Sequence, residues 1–495
     1  MWGSGPINPP PILASGLLLQ LLLSSPMKVT YDKKEFYRAH LARDFRFDGK
    51  FFVAVKTTMI YCRPICPAKK AQLKNLEFFI HAAQAEEAGY RPCLRCRPET
   101  APGSAAWNGT CATVQRAVRM MDSFALEDLS IKDLAAKLGI GSRWLSELFQ
   151  QQVGASPQSI LMSKKLDTAR NLLDKSSLSI TEIAYSSGFQ SLRRFNDAFK
   201  IRFQKTPSAF RKEPVSEGQL RLQLSYRPPY AWNNLISFFS HRAIPGTELV
   251  EDNSYQRLIT HGDIRGWFKA THSENNKIDI EFKLSKHANI LEFIVRLKNI
   301  FDLDCDPMAI ENCLQEDKKL KPFLQQHQGL RIPGCWDGFE LAVRAVVGQK
   351  ISVKAARTIL GRIVEICGEQ QTLDNSLQLE RFFPSAENIL AADLSNIGLP
   401  SARVATIKAL ANEVANKTLV LDGTADFVDT CKKLLAIKGV GPWTVEYIAM
   451  RALRNPNGFP ETDLEIQKKI ARLHLDPQKW VPWRAYGAIL LWSIK

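Results

Sequence analysis

Four cysteines near the start of the chain combine the spacing of a metal site with the surroundings of a reactive thiolate. Cys62 and Cys66 form one close pair, Cys93 and Cys96 form a second, and a longer insert separates the two pairs. Two such pairs can converge on one tetrahedral Zn²⁺ as a Cys₄ site. Cationic neighbours and a metal both favour the thiolate, which is the nucleophilic form of cysteine. The basic residues that flank the pairs are Arg63, Lys69, Lys70, Arg91, Arg95 and Arg97. The pattern therefore predicts one zinc site that can also do chemistry at sulfur.

The composition favours a large cytosolic protein that binds a polyanion. A length of 495 residues predicts three or four domains. Lys and Arg number 66 against 50 for Asp and Glu, so the formal net charge is +16. Such an excess favours nucleic acid as a partner, because neutralised phosphates release their counterions. The cysteines outside the two pairs stand singly, which fits a reducing cytosol better than a disulfide framework.

The first 26 residues read as an extension rather than as part of a domain. The leucine-rich stretch 16–24 resembles the apolar core of a signal peptide and is too short to span a bilayer. No Lys or Arg precedes it, and Met27 reads like a natural start. We expect residues 1–26 to be a disordered or mis-started extension, with a true signal peptide as the alternative.

Turn-rich breaks and changes of periodicity divide the rest of the chain. Breaks fall at 102–104 and 214–218, and the pattern between them is helical. Alternating segments at 220–226 and 278–284 predict strands, and the pattern after Asn289 is helical again. The sequence therefore predicts a multidomain α+β chain with domains at 27–100, 110–214, 219–297 and 298–495.

A helix-turn-helix pattern occurs twice in the region 110–214. In the first copy an apolar stripe ends at Gly139, Ser142 can cap the next helix, and Arg143 lies at the start of that helix. A recognition helix needs polar side chains near its N-terminus, where they reach base edges in the major groove. A plain helical bundle is the alternative, because one such pattern alone is weakly specific.

The second copy strengthens the prediction of DNA binding. The turn at Gly188 leads to Ser191, a candidate cap, and to a helix that carries Arg193, Arg194 and Asn196. The two copies and the segment 203–211 that follows them resemble the AraC-type DNA-binding domain. That resemblance implies a tandem helix-turn-helix domain that reads promoter DNA, with RNA polymerase as a partner.

The segments around the cysteine pairs, 52–68 and 88–98, resemble the metal-binding domain of Ada proteins. The family repairs methyl phosphotriesters in DNA by moving the methyl group to its first zinc cysteine, which by position is Cys62. Four thiolates on Zn²⁺ carry a net charge of −2, and methylation leaves −1. Less repulsion of phosphate should then tighten DNA binding. The resemblance implies a damage sensor that activates transcription, whereas a purely structural zinc knuckle that anchors DNA is the alternative.

The chain lacks a feature that often accompanies this domain. Proteins of the Ada family often carry a second transferase domain built round Pro-Cys-His-Arg, and no Cys-His dipeptide occurs here. Guanine-alkyl repair is therefore not expected.

A helix-hairpin-helix pattern at 434–449 precedes a candidate catalytic carboxylate. Gly439 and Gly441 permit a tight turn, and the following helix offers free N–H groups to a DNA phosphate. About 20 residues further on, a Gly/Pro-containing loop ends at Asp463. Residues 219–495 resemble AlkA-type 3-methyladenine DNA glycosylase II. The resemblance makes Asp463 the catalytic carboxylate, which would stabilise positive charge on the sugar and help water to attack. A simple helix N-cap is the alternative role, and both can hold.

Three aromatic residues, Trp443, Tyr447 and Trp492, match base-pocket positions of the glycosylase family. As a set they suit a flipped, cationic alkylated base, although each alone is more often a core residue. Trp443 stands where a lyase would need a lysine, so the resemblance implies a monofunctional enzyme. Two positions depart from the family: Lys350 replaces an apolar wedge residue, and Leu464 replaces an aromatic neighbour of the catalytic Asp. Both departures bear on substrate range.

The fold class predicted is a multidomain α+β protein with four parts: a small Cys₄ zinc domain, an all-α tandem helix-turn-helix domain, a small antiparallel α+β domain and an all-α helix-hairpin-helix glycosylase domain. We expect one Zn²⁺, a monomer in the bacterial cytoplasm near the nucleoid, alkylated and promoter duplex DNA as partners, and no membrane. Two alternatives remain open: a transcription regulator whose glycosylase half binds damage without catalysis, and an enzyme whose zinc half only anchors DNA.

Overall fold

The structure, a computed structural model, describes most of the chain as four units. The expectation for residues 1–26 falls outside the part that it describes. The described residues are 33–93, 95–96, 98, 101, 112–123, 130–176, 178–211, 220–286 and 290–494.

The N-terminal unit (residues 33–101) builds a small sheet that places the two cysteine pairs side by side. Its helices and strands are α1 (Lys33–Ala42), β1 (Phe52–Val55), β2 (Ile60–Cys62), β3 (Leu76–Phe79), α2 (Ala82–Glu87) and β4 (Arg91–Pro92). The strand order is β3-β1-β2-β4, with β4 parallel to β2 and the other pairs antiparallel. Because β2 ends in Cys62 and β4 is followed directly by Cys93, parallel pairing brings the two cysteine segments together.

The helical unit (residues 112–211) confirms the two predicted helix-turn-helix copies. Its helices are α3 (Ala112–Ser123), α4 (Ile131–Leu138), α5 (Ser142–Val153), α6 (Pro157–Lys175), α7 (Ile180–Ser186), α8 (Leu192–Phe203) and α9 (Pro207–Phe210). The first copy is α4–α5 and the second is α7–α8. The predicted turns hold, since Gly139 and Gly188 adopt φ of +73° and +82°, a region that glycine occupies without steric cost.

The sheet unit (residues 220–286) is a five-stranded antiparallel sheet with one helix. Its elements are β5 (Leu220–Ser225), α10 (Trp232–Arg242), β6 (Glu248–Glu251), β7 (Ser254–His261), β8 (Ile264–Ser273) and β9 (Lys277–Leu284). The order is β5-β9-β8-β7-β6, so the two strands predicted from alternation, β5 and β9, pair with each other. Buried residues of this sheet and of α6 and α8 form one continuous apolar core, which joins the sheet unit to the helical unit.

The C-terminal unit (residues 290–494) is helical, as predicted. Its helices are α11 (Ile290–Ile300), α12 (Pro307–Leu314), α13 (Lys321–Gln326), α14 (Gly338–Val347), α15 (Val353–Cys367), α16 (Ala386–Ala391), α17 (Ser401–Ala415), α18 (Phe427–Ala436), α19 (Pro442–Arg451), α20 (Leu464–Leu473) and α21 (Arg484–Ser493). Helix α11 runs across residue 297 and packs on the sheet, whereas the later helices enclose two further cores. The four units together give the predicted multidomain α+β class.

A buried arginine joins the N-terminal unit to the helical unit. Arg202, in the last turn of α8, lies 2.7 Å from the carboxylates of both Glu86 and Asp167. It also donates to the hydroxyl of Tyr61 at 3.2 Å, and that hydroxyl donates to Glu86 at 2.6 Å. Tyr61 precedes Cys62, so one network of buried charges connects the cysteine strand with the second recognition helix.

A second set of buried charges joins the N-terminal unit to the C-terminal unit. Lys50 and Asp306 form an ion pair at 2.6 Å, and each side chain is 7% exposed. The guanidinium of Arg227, which is fully buried, donates to the main-chain carbonyl of Asp48 at 2.8 Å and to that of Asp304 at 2.9 Å. Met308 packs against the apolar core of the N-terminal unit. The two units are therefore docked on one another as well as linked along the chain.

No helix in the described ranges is both long and apolar enough to cross a membrane.

The substitution Lys50→Met should loosen this docking by leaving Asp306 buried without its partner. Removing one member of a buried pair typically costs about 3–5 kcal/mol, because the remaining charge stays desolvated. The measurement is urea unfolding of the zinc-loaded protein, followed by tryptophan fluorescence. Arg221→Gln is the matched control, since Arg221 pairs with Glu281 at 2.9 Å on an exposed edge, where a pair contributes about 0–1 kcal/mol. Equal effects of the two substitutions would show that the buried pair does not hold the units together.

Candidate active sites and DNA contacts

The four predicted cysteines meet at one point, here called the thiolate cluster (Cys62, Cys66, Cys93 and Cys96). Their sulfur atoms all lie within 4.8 Å of one another. The backbone N–H of Cys66 donates to the Arg63 carbonyl at 3.1 Å, which closes a turn around the first pair. The backbone N–H of Cys93 donates to the Tyr61 carbonyl at 2.9 Å, which attaches the second pair to β2. The fold therefore converges the two pairs as the spacing predicted.

The cluster fits one zinc ion. Four ligands about 2.3 Å from a tetrahedral Zn²⁺ lie about 3.8 Å apart, which is compatible with the observed grouping. Such crowding separates the pKa values of the thiols: hydrogen bonding to Cys62 raises the pKa of Cys96 and lowers that of Cys93. A divalent cation offsets the repulsion among four thiolates, so this donor set is suited to Zn²⁺.

The guanidinium of Arg63 is paired with a carboxylate that the sequence did not predict. It donates to both carboxylate oxygens of Asp48, at 2.8 Å from Nε and by a shorter contact from Nη2. Arg63 also contacts Cys96, because its backbone N–H donates to the sulfur at 3.3 Å and Nη1 donates to the carbonyl at 3.4 Å. Spacing alone could not reveal Asp48, because this partner lies on a separate loop.

Access to the cluster differs among the cysteines. Cys66 is 2% exposed and Cys62 is 9% exposed, whereas Cys93 is half-buried. Cys93 is therefore the most accessible of the four cysteines, so the acceptor of a transferred group has to be identified by direct mapping.

The first recognition helix begins one residue earlier than expected. Its N-cap is Gly141, and Ser142 is the first helical residue and makes no side-chain cap, so the predicted capping role of Ser142 is wrong. The following Arg143 points outward with 94% of its side chain exposed, and it pairs with Glu147 at 3.0 Å. An exposed arginine at this position can reach DNA.

The second recognition helix matches the expectation closely. Ser191 is its N-cap and accepts a hydrogen bond from the backbone N–H of Arg194 at 3.4 Å. Arg193 and Arg194 are exposed, and Asn196 is half-buried on the same helix. The three predicted DNA-binding side chains thus lie near the N-terminal end of one helix.

Of the two glycines in the hairpin, only one occupies a position whose backbone conformation requires glycine. Gly439 adopts φ of +93°, and a Cβ there would lie 2.1 Å from the Thr406 hydroxyl oxygen. Gly441 is the N-cap of α19 with φ of −102° and open space around its Cα, so other residues fit there. The first N–H groups of α19 have no side-chain cap, which leaves them available to a phosphate.

Lys350 lies beside this hairpin. The preceding residue, Gln349, donates to the Gly439 carbonyl at 3.1 Å and to the Thr444 hydroxyl at 2.9 Å. Lys350 itself is exposed and adopts φ of +55°, which is unusual for a residue with a side chain. Lys350 is therefore an exposed residue directly after one that contacts the hairpin.

Asp463 is a helix N-cap, and its carboxylate also lines a cavity, as a catalytic role would require. As the N-cap of α20, its Oδ1 accepts from the backbone N–H groups of Glu465 at 3.1 Å and Ile466 at 3.0 Å. Its two carboxylate oxygens also accept from the indole nitrogens of Trp443 at 2.9 Å and Trp492 at 3.3 Å. These bonds hold the carboxylate in one orientation at the edge of a cavity.

The cavity, here called the aromatic cavity, has a volume of about 480 Å³ and brings the predicted pocket residues together. Trp443 stacks on Tyr447 with ring centroids 5.1 Å apart, and Trp492 lies 6.2 Å from Tyr447 at a tilt of 59°. Leu464 is 70% exposed, beside Asp463 at the open side. The space is sufficient for a single flipped base.

Sequence reasoning missed the charged residues of the cavity wall. Arg242 and Arg451 line it, together with an ion-paired group of four that consists of Arg257, Arg344, Glu248 and Glu340. The position of Arg451, one helical turn after Tyr447 on α19, was a detectable signal, because residues four apart lie on one helix face. The other wall residues come from distant segments and had no local signal.

Comparison with known proteins agrees with this arrangement. Three family models match: the metal binding domain of Ada over residues 35–99, a helix-turn-helix domain over 134–213 and the AlkA N-terminal domain over 221–337. DNA-3-methyladenine glycosylase 2 of Escherichia coli is 30% identical over 278 residues, which cover 54% of this chain and 95% of that protein. The bifunctional transcriptional activator/DNA repair enzyme Ada of Escherichia coli is 32% identical over 153 residues, which cover 31% of this chain and 42% of that protein.

One relative spans both halves. The probable bifunctional transcriptional activator/DNA repair enzyme AlkA of Mycobacterium tuberculosis is 36% identical over 479 residues, which cover 93% of this chain and 96% of that protein. This chain therefore belongs to the family of bifunctional transcriptional activator/DNA repair enzymes in which an Ada-type half precedes an AlkA-type glycosylase half.

Proposed function

We propose that this protein senses methylated DNA phosphates through Cys62, activates transcription in response, and excises alkylated bases through Asp463. The observation that carries the proposal is the placement of Asp463, whose oxygens are held by Trp443 and Trp492 at the edge of a base-sized cavity. A carboxylate with only a capping role would not need two indole donors. The thiolate cluster supplies the second chemistry in the same chain.

In the sensing reaction the Cys62 sulfur attacks the methyl carbon of a phosphotriester. The carbon–oxygen bond breaks, its electron pair stays on the phosphate oxygen, and a thioether forms on Cys62. Bound zinc would keep the sulfur atoms deprotonated and therefore nucleophilic. A thioether has no easy reversal, so each molecule reacts once and keeps a permanent record of damage.

Methylation changes the charge that the N-terminal unit presents to DNA. One negative charge disappears from the cluster, so repulsion of the phosphate backbone falls and affinity for promoter DNA rises. The buried network around Arg202 joins β2 to the second recognition helix, so both elements meet DNA as one body. RNA polymerase is the proposed partner of the activated form, which acts as a monomer on the chromosome in the cytoplasm.

In the repair reaction a damaged base leaves the stack and enters the aromatic cavity. Cleavage of the bond between the base and the sugar builds positive charge on the sugar, and the Asp463 carboxylate stabilises that charge while helping water to attack. The wall at Trp443 offers no amine for a Schiff base. Hydrolysis without strand cleavage is the expected outcome.

The second candidate is a transcription regulator whose glycosylase half binds damage without catalysis. The departures from the family pattern at Lys350 and Leu464 bear on substrate range, whereas the presence of Asp463 and of the three aromatic residues in one cavity argues against this candidate. Release of 3-methyladenine from methylated duplex DNA by the purified chain would exclude it.

The thiolate cluster should bind one zinc ion per chain. Metal content measured by atomic spectroscopy should fall in Cys93→Ser, because a hydroxyl replaces a thiolate ligand. Cys431→Ser is the control, since Cys431 lies far away in the C-terminal unit, and its zinc content should stay at the wild-type level. A zinc-free wild type, or equal zinc in both variants, would show that the cluster is not the site.

Exposure to methylated DNA should add one methyl group, about 14 Da, to Cys62. Intact mass measures the transfer, and peptide mapping separates Cys62 from the more exposed Cys93. The salt dependence of promoter binding should change after transfer, because a negative charge near phosphate has gone. Mapping of the methyl group to another residue, or its absence, would contradict the assignment of Cys62.

The substitution Asp463→Asn should slow base release by about 10²–10³, the usual cost of losing one preorganised electrostatic group. The amide nitrogen that replaces one carboxylate oxygen is itself a donor and would face an indole N–H. The asparagine side chain therefore cannot keep all four hydrogen bonds that the carboxylate accepts. Single-turnover excision of 3-methyladenine is the measurement.

Asp426→Asn is the matched control for Asp463→Asn. Asp426 caps α18 by accepting from the Asp429 backbone at 2.9 Å, with no indole donor beside it. Equal rates for the two variants would mean that Asp463 is only a cap and that catalysis lies elsewhere.

A further inference from the structure

The wall of the aromatic cavity carries more arginines than its ion pairs balance. Glu248 and Glu340 are engaged with Arg257 and Arg344 at distances of 2.5–3.4 Å. Arg242, Arg357 and Arg451 also line the cavity, and none of the three belongs to an ion pair among the described residues. Cations without an ion-pair partner in a partly closed space will attract an electron-rich group.

Arg451 is locked in place by the protein. It is 7% exposed, and it donates to the carbonyl oxygens of Pro333 at 2.6 Å and Gly334 at 3.2 Å. Its third contact is a short hydrogen bond to the Tyr447 hydroxyl oxygen. Since that oxygen accepts from Arg451, the Tyr447 proton is free to point elsewhere.

The ring of Tyr447 already has a cation beside it. The Arg451 guanidinium carbon lies 5.0 Å from the centroid of this ring, and Trp443 stacks on the ring at 5.1 Å. Little of its electron-rich face therefore remains for a cationic base. What Tyr447 offers to a ligand is its hydroxyl group.

Arg242 lies between Phe238 and the Tyr447 hydroxyl. Its guanidinium carbon lies 3.8 Å from the Phe238 ring centroid, and Nη1 donates to the Phe238 carbonyl at 3.4 Å. Burial lowers the pKa of this guanidinium, Tyr447 beside it raises that pKa, and the charge of Arg451 lowers it. An acceptor atom on a ligand would relieve both costs.

Negative and positive charge lie at the two ends of the Trp443–Tyr447 stack, because Trp443 donates to Asp463 and Arg451 donates to Tyr447. Asp463 places negative charge where the sugar of a flipped nucleotide must lie, beside exposed Leu464. The buried Arg451 and its neighbour Arg242 place positive charge where the base must lie. Cleavage of an uncharged nucleoside creates the same polarity, with positive charge on the sugar and negative charge on the departing base.

We propose that Arg242 is a leaving-group site for uncharged damaged bases that carry a carbonyl or ring-nitrogen acceptor, such as 6-oxopurines, and that Arg451 is its positioning residue. The proposal rests on the proposed glycosylase function. The bond between C1′ and the base nitrogen breaks, and its electron pair goes to the base. Water adds its oxygen to C1′, and one of its protons reaches the base through solvent. Arg242 stabilises the negative charge on the base before that proton arrives.

Cationic alkylated bases should need this site much less. A cationic base becomes neutral when it takes the bonding electrons, so no negative charge develops at the inner wall. Arg242 and Arg451 should therefore control the excision rate of uncharged bases relative to that of cationic bases, rather than the overall activity.

The experiment compares single-turnover excision of hypoxanthine and of 7-methylguanine from otherwise identical duplexes by the full-length, zinc-loaded protein. Arg242→Gln should slow release of hypoxanthine about 10²-fold and that of 7-methylguanine far less, as expected for loss of one charged donor. Arg451→Met should also lower the rate of hypoxanthine release relative to that of 7-methylguanine, and the change should appear in the maximum rate of excision. Arg451→Lys should restore part of the wild-type ratio. Arg221→Gln removes one exposed charge from the sheet unit and should leave the ratio unchanged.

The outcomes separate this inference from the proposed function. A wild type that releases neither base overturns both. Release of both bases with an unchanged ratio in Arg242→Gln overturns the leaving-group site and leaves the glycosylase function intact. Equal loss of release of both bases in Arg242→Gln would show a purely structural role and also overturn it.

Discussion

Buried charge at the junctions between units is the constraint on which the rest of the structure depends. Arg202 holds Glu86 and Asp167 together between the N-terminal and helical units, and Lys50 meets Asp306 between the N-terminal and C-terminal units. Such groups are costly to desolvate and still costlier to leave unpaired, so the units can dock in few other ways. Apolar contacts alone, as in the core shared by the helical and sheet units, would define position less sharply.

The docked arrangement gives the thiolate cluster two structural neighbours. On one side Tyr61 leads through Arg202 to the second recognition helix. On the other, Asp48 accepts from Arg63 through its carboxylate and from Arg227 of the sheet unit through its carbonyl. The cysteine domain is therefore in direct contact with both the DNA-reading half and the repair half. A single chain can in this way hold a sensor that reacts once beside an enzyme that turns over.

In the proposed function Asp463 combines a structural role with a chemical one. Capping a helix and accepting from two indoles hold its carboxylate in one orientation, and a preorganised group costs no reorganisation when the sugar becomes positive. The opposite wall, with Arg451 and Arg242, completes a field along the cavity. Substrate range then depends on how charge develops during cleavage as well as on the shape of the pocket.

Local sequence patterns predicted many of the helices and strands and also the residues that we propose to do the chemistry. The paired cysteines, the two helix-turn-helix copies, the strands β5 and β9, the hairpin glycine Gly439 and the loop that ends in Asp463 all have short-range signals, because metal ligation, turns and amphipathic faces impose fixed spacings. Contacts between segments that are distant in the chain leave no such fixed spacing in the sequence. Only the tertiary structure could therefore show that Arg63 turns to Asp48, that Gly141 rather than Ser142 caps α5, and that Arg242 from α10 meets Arg451 from α19 inside one cavity.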